Sequence, residues 1–600
     1  MNNGIVKIIA AALGCFFLGC HAESNDADAP LRESAASLTK PPPTEPIPSP
    51  TSATFAIRWT DWTQRSGIDF VHTYDGFGER YIIETVGGGM ASLDYDLDGM
   101  VDVYFLNGST IPQQPDDISP NKLYRNRGDM HFQDVTKAAN GGVEEFGMGV
   151  CVADFDNDGF FDLFTNNYGA NRFLRNNGDG TFTDIASKLG LALEDDMGAG
   201  VCFFDANRDG ALDLYIANYV EDPVSKNIKR TTEGFPSYPG PLDFRGGQDR
   251  FYLSRGDGTF VDHTKEAGFD GFFTTSMGVL AADLDCDGDE DLVVVNDVDK
   301  NLLFLNDGHG SFEECGVTNG VAFAYDGRMN GNMGIDVGDI DNDGLPDLYS
   351  TTFSNEYPVL YRNLGGAMFE DALLATNAGK DLFPHANWGV AIFDMENDSD
   401  KDIFVANGHT DPMVQSWAYT TAWKVKNSVF ENQGTGRFRS LGEEVGDGLQ
   451  AVESSRGMVA EDFDNDGDLD VILLNSKSGV TVLKNDSQSG AWVQLAFRGT
   501  RSARDGTGVR VDFSQGNRQF VDQVLTSRSY QSSFGNRIHV GLGAEMAIGT
   551  LRIHWPSGVT ESIDGVGAGA RLLLVEPSPP ASELHREPAE PSSLRDVTLN

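Results

Sequence analysis

Seven times in this chain of 600 residues, oxygen-bearing side chains stand at positions 1, 3, 5 and 9 of a nine-residue stretch. The first copies are Asp94, Asp96, Asp98 and Asp102 in DYDLDGMVD; Asp154, Asp156, Asp158 and Asp162 in DFDNDGFFD; and Asp205, Asn207, Asp209 and Asp213 in DANRDGALD. Next come Asp283, Asp285, Asp287 and Asp291 in DLDCDGDED, and Asp339, Asp341, Asp343 and Asp347 in DIDNDGLPD. The last two are Asp394, Glu396, Asp398 and Asp402 in DMENDSDKD, and Asp462, Asp464, Asp466 and Asp470 in DFDNDGDLD. Every one of these positions except Asn207 is acidic, and Gly fills position 6 in all copies but the sixth, which has Ser399. A hard cation such as Ca2+ takes about 6–8 oxygens at ~2.3–2.6 Å. Alternate residues of a tight loop point inward together, and Gly permits the sharp turn. Left bare, carboxylates ~4 Å apart repel by about 4 kcal/mol at an effective dielectric near 20. About seven Ca2+ sites are therefore expected.

The elements that hold these loops follow from what flanks them. A helix–loop–helix calcium site needs a bidentate Glu at position 12. Here that position is Phe105, Thr165, Ile216 or Val294, inside apolar runs such as VDVYFL and DLVVVN, so the loops join β-strands. The first aspartates lie 51 to 78 residues apart, a period that suits four short strands per unit. A second hairpin follows six of the loops, as in LYRNRGDMHF and FLRNNGDGTF, with a Gly-rich turn and a strand that opens on Phe. Phe132, Phe182, Phe260, Phe312, Phe369 and Phe438 take that place and are expected to pack between neighbouring sheets. The seventh loop lacks this closing strand, yet Trp59-Thr60-Asp61-Trp62-Thr63 stands unpaired before the first loop. The expected fold is all-β: a seven-bladed β-propeller over residues 53–488, closed by its N-terminal strand and followed by a small β-domain at 491–576.

Composition bounds the function classes. With 91 acidic and 44 basic residues the formal charge is −47, which excludes nucleic-acid binding. Residues 1–20 combine one Lys, a short apolar run and Leu18-Gly19-Cys20, a pattern similar to the bacterial lipoprotein signal, with Cys20 as the lipidation site. The resemblance implies export to the outer membrane or cell surface, or secretion, with membrane contact only through that anchor. Residues 21–52 read as a Pro/Ser-rich tether and 577–600 as a disordered tail. Cys151 and Cys202 each precede an equivalent Asp by three residues, which leaves open both a bridge between repeats and two buried thiols.

The loops resemble the FG-GAP/VCBS repeats of integrin-α-type propellers. The segments AWVQLAFRGTRSARDGTGVRV, SRSYQSSFGNRIHVGLG and LRIHWPSGVTE resemble the ASPIC/UnbV domain. Together they are similar to the cartilage-acidic-protein-like family, which implies a secreted calcium-binding protein used for binding or adhesion, with no catalytic mechanism to carry over.

Strand alternation locates a partner. The acidic loops and the Gly-rich turns share one face of the ring, while the long inserts 219–249 and 408–427 fall on the other. That opposite face is the expected binding face for a protein or a polysaccharide, with His385, Trp388, His409, Trp417 and Trp423 as candidate ligand-binding residues. The alternative is an extracellular lyase or hydrolase acting on polysaccharide, for which only His385, Arg328 and His409 are at hand, on separate blades. No catalytic residue is assigned. Met148, Met277, Met333 and Trp388 stand six residues before loop aspartates, where they would line or plug the channel. Residues 491–575 hold nine Arg, no Lys and six acidic residues, so Arg501, Arg504, Arg528 and Arg537 are placed to grip an anionic ligand or the acidic propeller itself.

Overall fold

The computed structural model describes residues 56–111, 119–194 and 196–578. The expected leader, Cys20, the tether and the tail beyond residue 578 lie outside the described residues.

Alternating buried runs form four-stranded antiparallel sheets, seven of which follow one another among the described residues between Trp59 and Asn485. The first contains Met90–Leu93, Asp102–Phe105, Lys122–Asn126 and Phe132–Asp134, and each acidic loop joins the first and second strands of its sheet. The seventh sheet takes Ser455–Glu461, Asp470–Asn475 and Thr481–Asn485 from one end of the chain and Trp59–Asp61 from the other. Trp59 pairs with Asn485 and Asp61 with Leu483, so a strand from the N-terminal side supplies the missing fourth member. Trp59 is fully buried and meets Phe393 and Phe404 edge-on, the place that Phe occupies in the other sheets. Phe132 packs on Phe463, Phe182 on Tyr95 and Phe260 on Phe155, each across to the acidic loop of the preceding sheet.

The innermost strands approach one another over a ring of glycines. Gly89, Gly149, Gly200, Gly278, Gly334, Gly389 and Gly457 occupy the same place in the seven sheets, and a Cβ on each would collide with a carbonyl in, or just before, the next sheet's first strand. At Gly149 it would lie 2.0 Å from the Ala199 oxygen, at Gly334 2.3 Å from the Trp388 oxygen, and at Gly457 2.6 Å from the Gly88 oxygen. The last contact joins the seventh sheet to the first. Gly149→Ala is expected to cost about 1–3 kcal/mol in a urea melt, because backbone on both sides must move apart.

Residues 491–575 form a two-sheet β-domain around Val493, Leu495, Val511, Leu551, Ile553 and Trp555. In one sheet Ala491–Arg498 lies between Ile538–Gly543 and, in parallel, Ala570–Val575. The segment between Arg518–Gln523 and Ile538–Gly543 leaves this domain and enters the channel of the ring. There it touches all seven sheets. Thr526 Oγ1 donates to the Phe203 carbonyl (2.6 Å) and Ser527 Oγ to that of Val279 (2.8 Å). Ser529 exchanges backbone hydrogen bonds with Ile335, and its hydroxyl accepts the Val390 N–H (3.0 Å). The Gln531 carbonyl accepts Val150 N–H, Ser533 pairs with Met90 and Ser92, and Gly535 N–H donates to Glu461 (3.0 Å). Met148, Met277, Met333 and Trp388 all sit in the apolar cluster that this segment completes with Tyr530.

Candidate functional site

The acidic loops share a backbone frame, complete at position 1 in four of them. In the first, Asp94 accepts the N–H groups of Asp98 (3.0 Å) and Gly99 (2.9 Å), which curls the loop around its position-1 carboxylate. Asp205, Asp339 and Asp394 do the same, and Ser399 takes the glycine's place with a positive φ of 80°. Position 9 ties the loop to its own sheet. Asp102 accepts Tyr95 N–H (3.1 Å) on one oxygen and Asn126 N–H (2.7 Å) on the other. The equivalent pair of bonds recurs at Asp162, Asp213, Asp291, Asp347, Asp402 and Asp470. The side chain of that third-strand Asn then reaches the preceding sheet: Asn176 Nδ2 donates to the Tyr95 carbonyl (2.8 Å), and Asn363 Nδ2 to that of Leu284 (2.8 Å).

The clusters fit a cation by what is left over. In the first, second, fifth and sixth loops, carboxylate oxygens of positions 1, 3 and 9 lie within 4.8 Å of one another; in the fourth, those of Asp283, Asp285 and Asp287 do. Oδ1 of Asp96, Asp154, Asp156, Asp283, Asp341 and Asp462 and Oε2 of Glu396 are buried without a hydrogen-bond partner. Burial pushes the carboxyls of Asp94, Asp205, Asp283 and Asp462 up to about 6 and those of Asp154 and Asp339 to about 7. Orphaned, desolvated oxygens in this number are costly unless a positive charge completes them. In the third loop Asn207 is turned to Asp209, donating through Nδ2 (3.0 Å).

A feature that the spacing of the loops does not reveal is a basic side chain from the third strand. Arg125 bridges Asp96 (2.8 Å) and Asp98 (2.7 Å), Arg175 bridges Asp156 (2.6 Å) and Asp158 (2.8 Å), and Lys484 bridges Asp464 and Asp466. The recurring LYRN-type strand carries the signal. The same place holds Leu305 in the fourth sheet and Glu431 in the sixth, where burial and the neighbouring carboxylates raise Glu396 to about 8.

The β-domain covers this loop face. Arg571 reaches Asp462 (2.7 Å), Arg510 reaches Asp283 (3.2 Å), and Arg518 pairs with Asp400. Arg528 forms a buried two-pronged pair with Asp336 (2.7 and 3.0 Å). Of the arginines singled out from sequence, Arg528 grips the propeller by its side chain. The Arg504 guanidinium lies against Gly159, and the Arg537 charge acts on Asp94. Arg501 turns instead to Ser557 of its own domain. Cys151 and Cys202 are free buried thiols; Cys151 donates to the Thr526 carbonyl (3.2 Å), and burial pushes its thiol up to about 12.

On the opposite face the two inserts and the lead-in at Ile82–Val86 enclose a pocket of about 440 Å3. Trp388, His409 and Trp417 line it; His385 and Trp423 do not. His385 bonds to Thr421 (3.1 Å) inside the insert, and Trp423 uses its carbonyl to hold His409 N–H (2.9 Å). Trp388 is part of the buried floor and not an exposed platform. Its Nε1 donates to the Gly408 carbonyl (2.6 Å), Tyr530 meets it edge-on, and the Arg456 guanidinium lies 4.0 Å from its ring. Arg456 is itself fully buried and donates to Ser454 Oγ and the Ser455 and His409 carbonyls. Burial and Arg456 hold His409 at about 4, and its Nδ1 accepts Asp411 N–H (3.0 Å). Sequence reading missed Asp297, a buried pocket residue that accepts the Tyr219 hydroxyl (2.5 Å) and is raised by burial to about 6.

Comparison with known proteins matches this architecture. FG-GAP-like repeats are recognised at residues 94–165, 154–216, 243–294, 283–350 and 339–405, and an ASPIC and UnbV domain at 499–581. Mouse cartilage acidic protein 1 is 25% identical over 460 residues, 72% of this chain and 65% of that protein. The human protein of the same name is 31% identical over 154 residues, 25% of this chain and 23% of its own length. The chain thus spans less than two thirds of these relatives. Among solved structures, BBS1N in its complex with ARL6DN superposes with a TM-score of 0.39 at 8% identity, over 72% of this chain and 97% of that one. This chain is an all-β protein of FG-GAP-like repeats with a C-terminal ASPIC/UnbV domain, homologous to cartilage acidic protein 1.

Proposed function

We propose that this chain is a calcium-braced extracellular binding protein that takes its partner, a protein or a polysaccharide, on the face opposite the acidic loops. One observation carries the reading: the β-domain occupies the loop face through Arg510, Arg518 and Arg571, while the two inserts build a lined pocket on the other. FG-GAP-like repeats and an ASPIC/UnbV domain go with an extracellular, adhesion-type protein, and the acidic loops supply the calcium dependence. Export, with Cys20 as the candidate lipidation site, belongs to the same reading. Tyr419, 96% exposed on the insert beside Trp417, and Met546, 72% exposed on the β-domain, give a direct test. Each is replaced by Cys and coupled to a bulky polyethylene glycol, and retention on extracellular matrix and cell-wall polysaccharide is measured. Blocking position 419 is expected to abolish retention and blocking 546 to leave it intact; the reverse result removes the assignment of the face.

A further inference from the structure

We propose that the pocket between the inserts takes the end of a neutral saccharide, with Trp417 as the apolar platform and Asp297 as the hydroxyl acceptor. The inference rests on the assignment of that face as the binding face and narrows it to one ligand class. A volume of about 440 Å3 falls within the range of sites that enclose small molecules.

Charge excludes most classes. Asp297 and Asp411 both line the pocket, and Arg80 is already spent on Asp411 (3.1 Å). A phosphate, sulfate or carboxylate would therefore meet acids without a free base. A compact cation fares no better. Arg456 lies behind the floor with its charge 4.0 Å from the Trp388 ring, held by carbonyls and a hydroxyl, with no carboxylate in ion-pair range among the described residues. That buried positive charge occupies the floor ring, Trp388, that a cation would use. An apolar ligand would strand the side chains of Ser354 and Thr410, neither of which is hydrogen-bonded to another protein group among the described residues. Asp297 is 7% exposed; one of its oxygens accepts the Tyr219 hydroxyl, and the other is left without a donor. What remains is an uncharged ligand with one apolar face and many hydroxyls, which is the chemistry of a pyranose ring.

The test is titration calorimetry with saturation-transfer NMR on the full calcium-loaded chain. The probes are methyl glycosides and disaccharides of neutral hexoses and N-acetylhexosamines, with tetramethylammonium and sulfate beside them. At least one neutral saccharide is expected to bind at millimolar concentration or better, and sulfate is not. Trp417→Ala and the near-isosteric Asp297→Asn should each weaken that binding about tenfold or more, whereas Met546→Ser on the β-domain should not. Thermal melts check that each variant is folded, and Asp297→Asn keeps the test decisive if Trp417→Ala is not. Binding of tetramethylammonium with no saccharide would overturn the ligand class and leave the binding face standing. Saccharide binding that both pocket variants leave untouched would overturn the pocket itself. Failure of every saccharide would overturn the proposal, and the retention experiment then judges the face separately.

Discussion

Chelating calcium from the full chain is expected to lower its thermal midpoint by roughly 10 °C or more. The loops hold buried carboxylate oxygens with no partner, from Asp96 in the first to Asp462 in the seventh. A site held at a hundred times its dissociation constant contributes about 2.7 kcal/mol, and several such sites add up to more than the net stability of most domains. The loss should be uneven. Arg125, Arg175 and Lys484 already lean on positions 3 and 5 of their loops and partly neutralise them when the cation leaves. The third, fourth and sixth loops, with Leu253, Leu305 and Glu431 in that place, have no such third-strand base, and the fourth and sixth depend on Arg510 and Arg518 of the β-domain instead. Scanning calorimetry with EGTA, with and without added calcium, measures the effect; a midpoint that does not move would rule out structural calcium.

Arg528→Ala should cost about 3–5 kcal/mol in a urea melt. The guanidinium is largely buried, with its side chain 12% exposed, and makes two bonds to Asp336, which is wholly buried and also accepts the N–H groups of Val337 and Ile392. Truncation leaves that carboxylate desolvated and short of its counter-charge. By contrast Arg552→Ala, which breaks a surface pair with Asp512, should cost at most ~1 kcal/mol. A cycle with Asp336→Ala isolates the coupling; a loss at Arg528 as small as that at Arg552 would show that the channel segment does not hold the ring.

Much of this architecture is legible in the sequence because its physics is local and repeated. A loop that gathers carboxylates must turn tightly, so the Asp and Gly spacing marks both the candidate site and the strand pair around it. A missing closing strand after Lys484 and a spare one at Trp59 imply each other. What escapes the sequence depends on contacts between distant parts. The glycines of the innermost strands look ordinary until the neighbouring carbonyl stands 2.0 Å from where a Cβ of Gly149 would be. The channel segment LTSRSYQSSFG has no period, because its residues answer in turn to all seven sheets. Arg510, Arg518 and Arg571 stand at unremarkable places in their strands, and only the docking of the domain reveals their partners. Beside His385 in the crossing FPHANW, Trp388 reads as a ligand platform; Arg456, remote in sequence, helps bury it.

The pairing of Trp59–Asp61 with Thr481–Asn485 also dictates an order of events during synthesis. Thr60 bonds to Asp486, 426 positions further on. Until the ribosome has delivered that stretch, the sheets form an open arc with an unpaired edge at each end, the kind of surface on which chains pair wrongly. The channel segment follows only after another forty residues or so, when the arc has shut. Growth from the N-terminus therefore ends with two late steps, the latch and then the bolt, and a chain halted between them would hold an assembled ring with an empty axle.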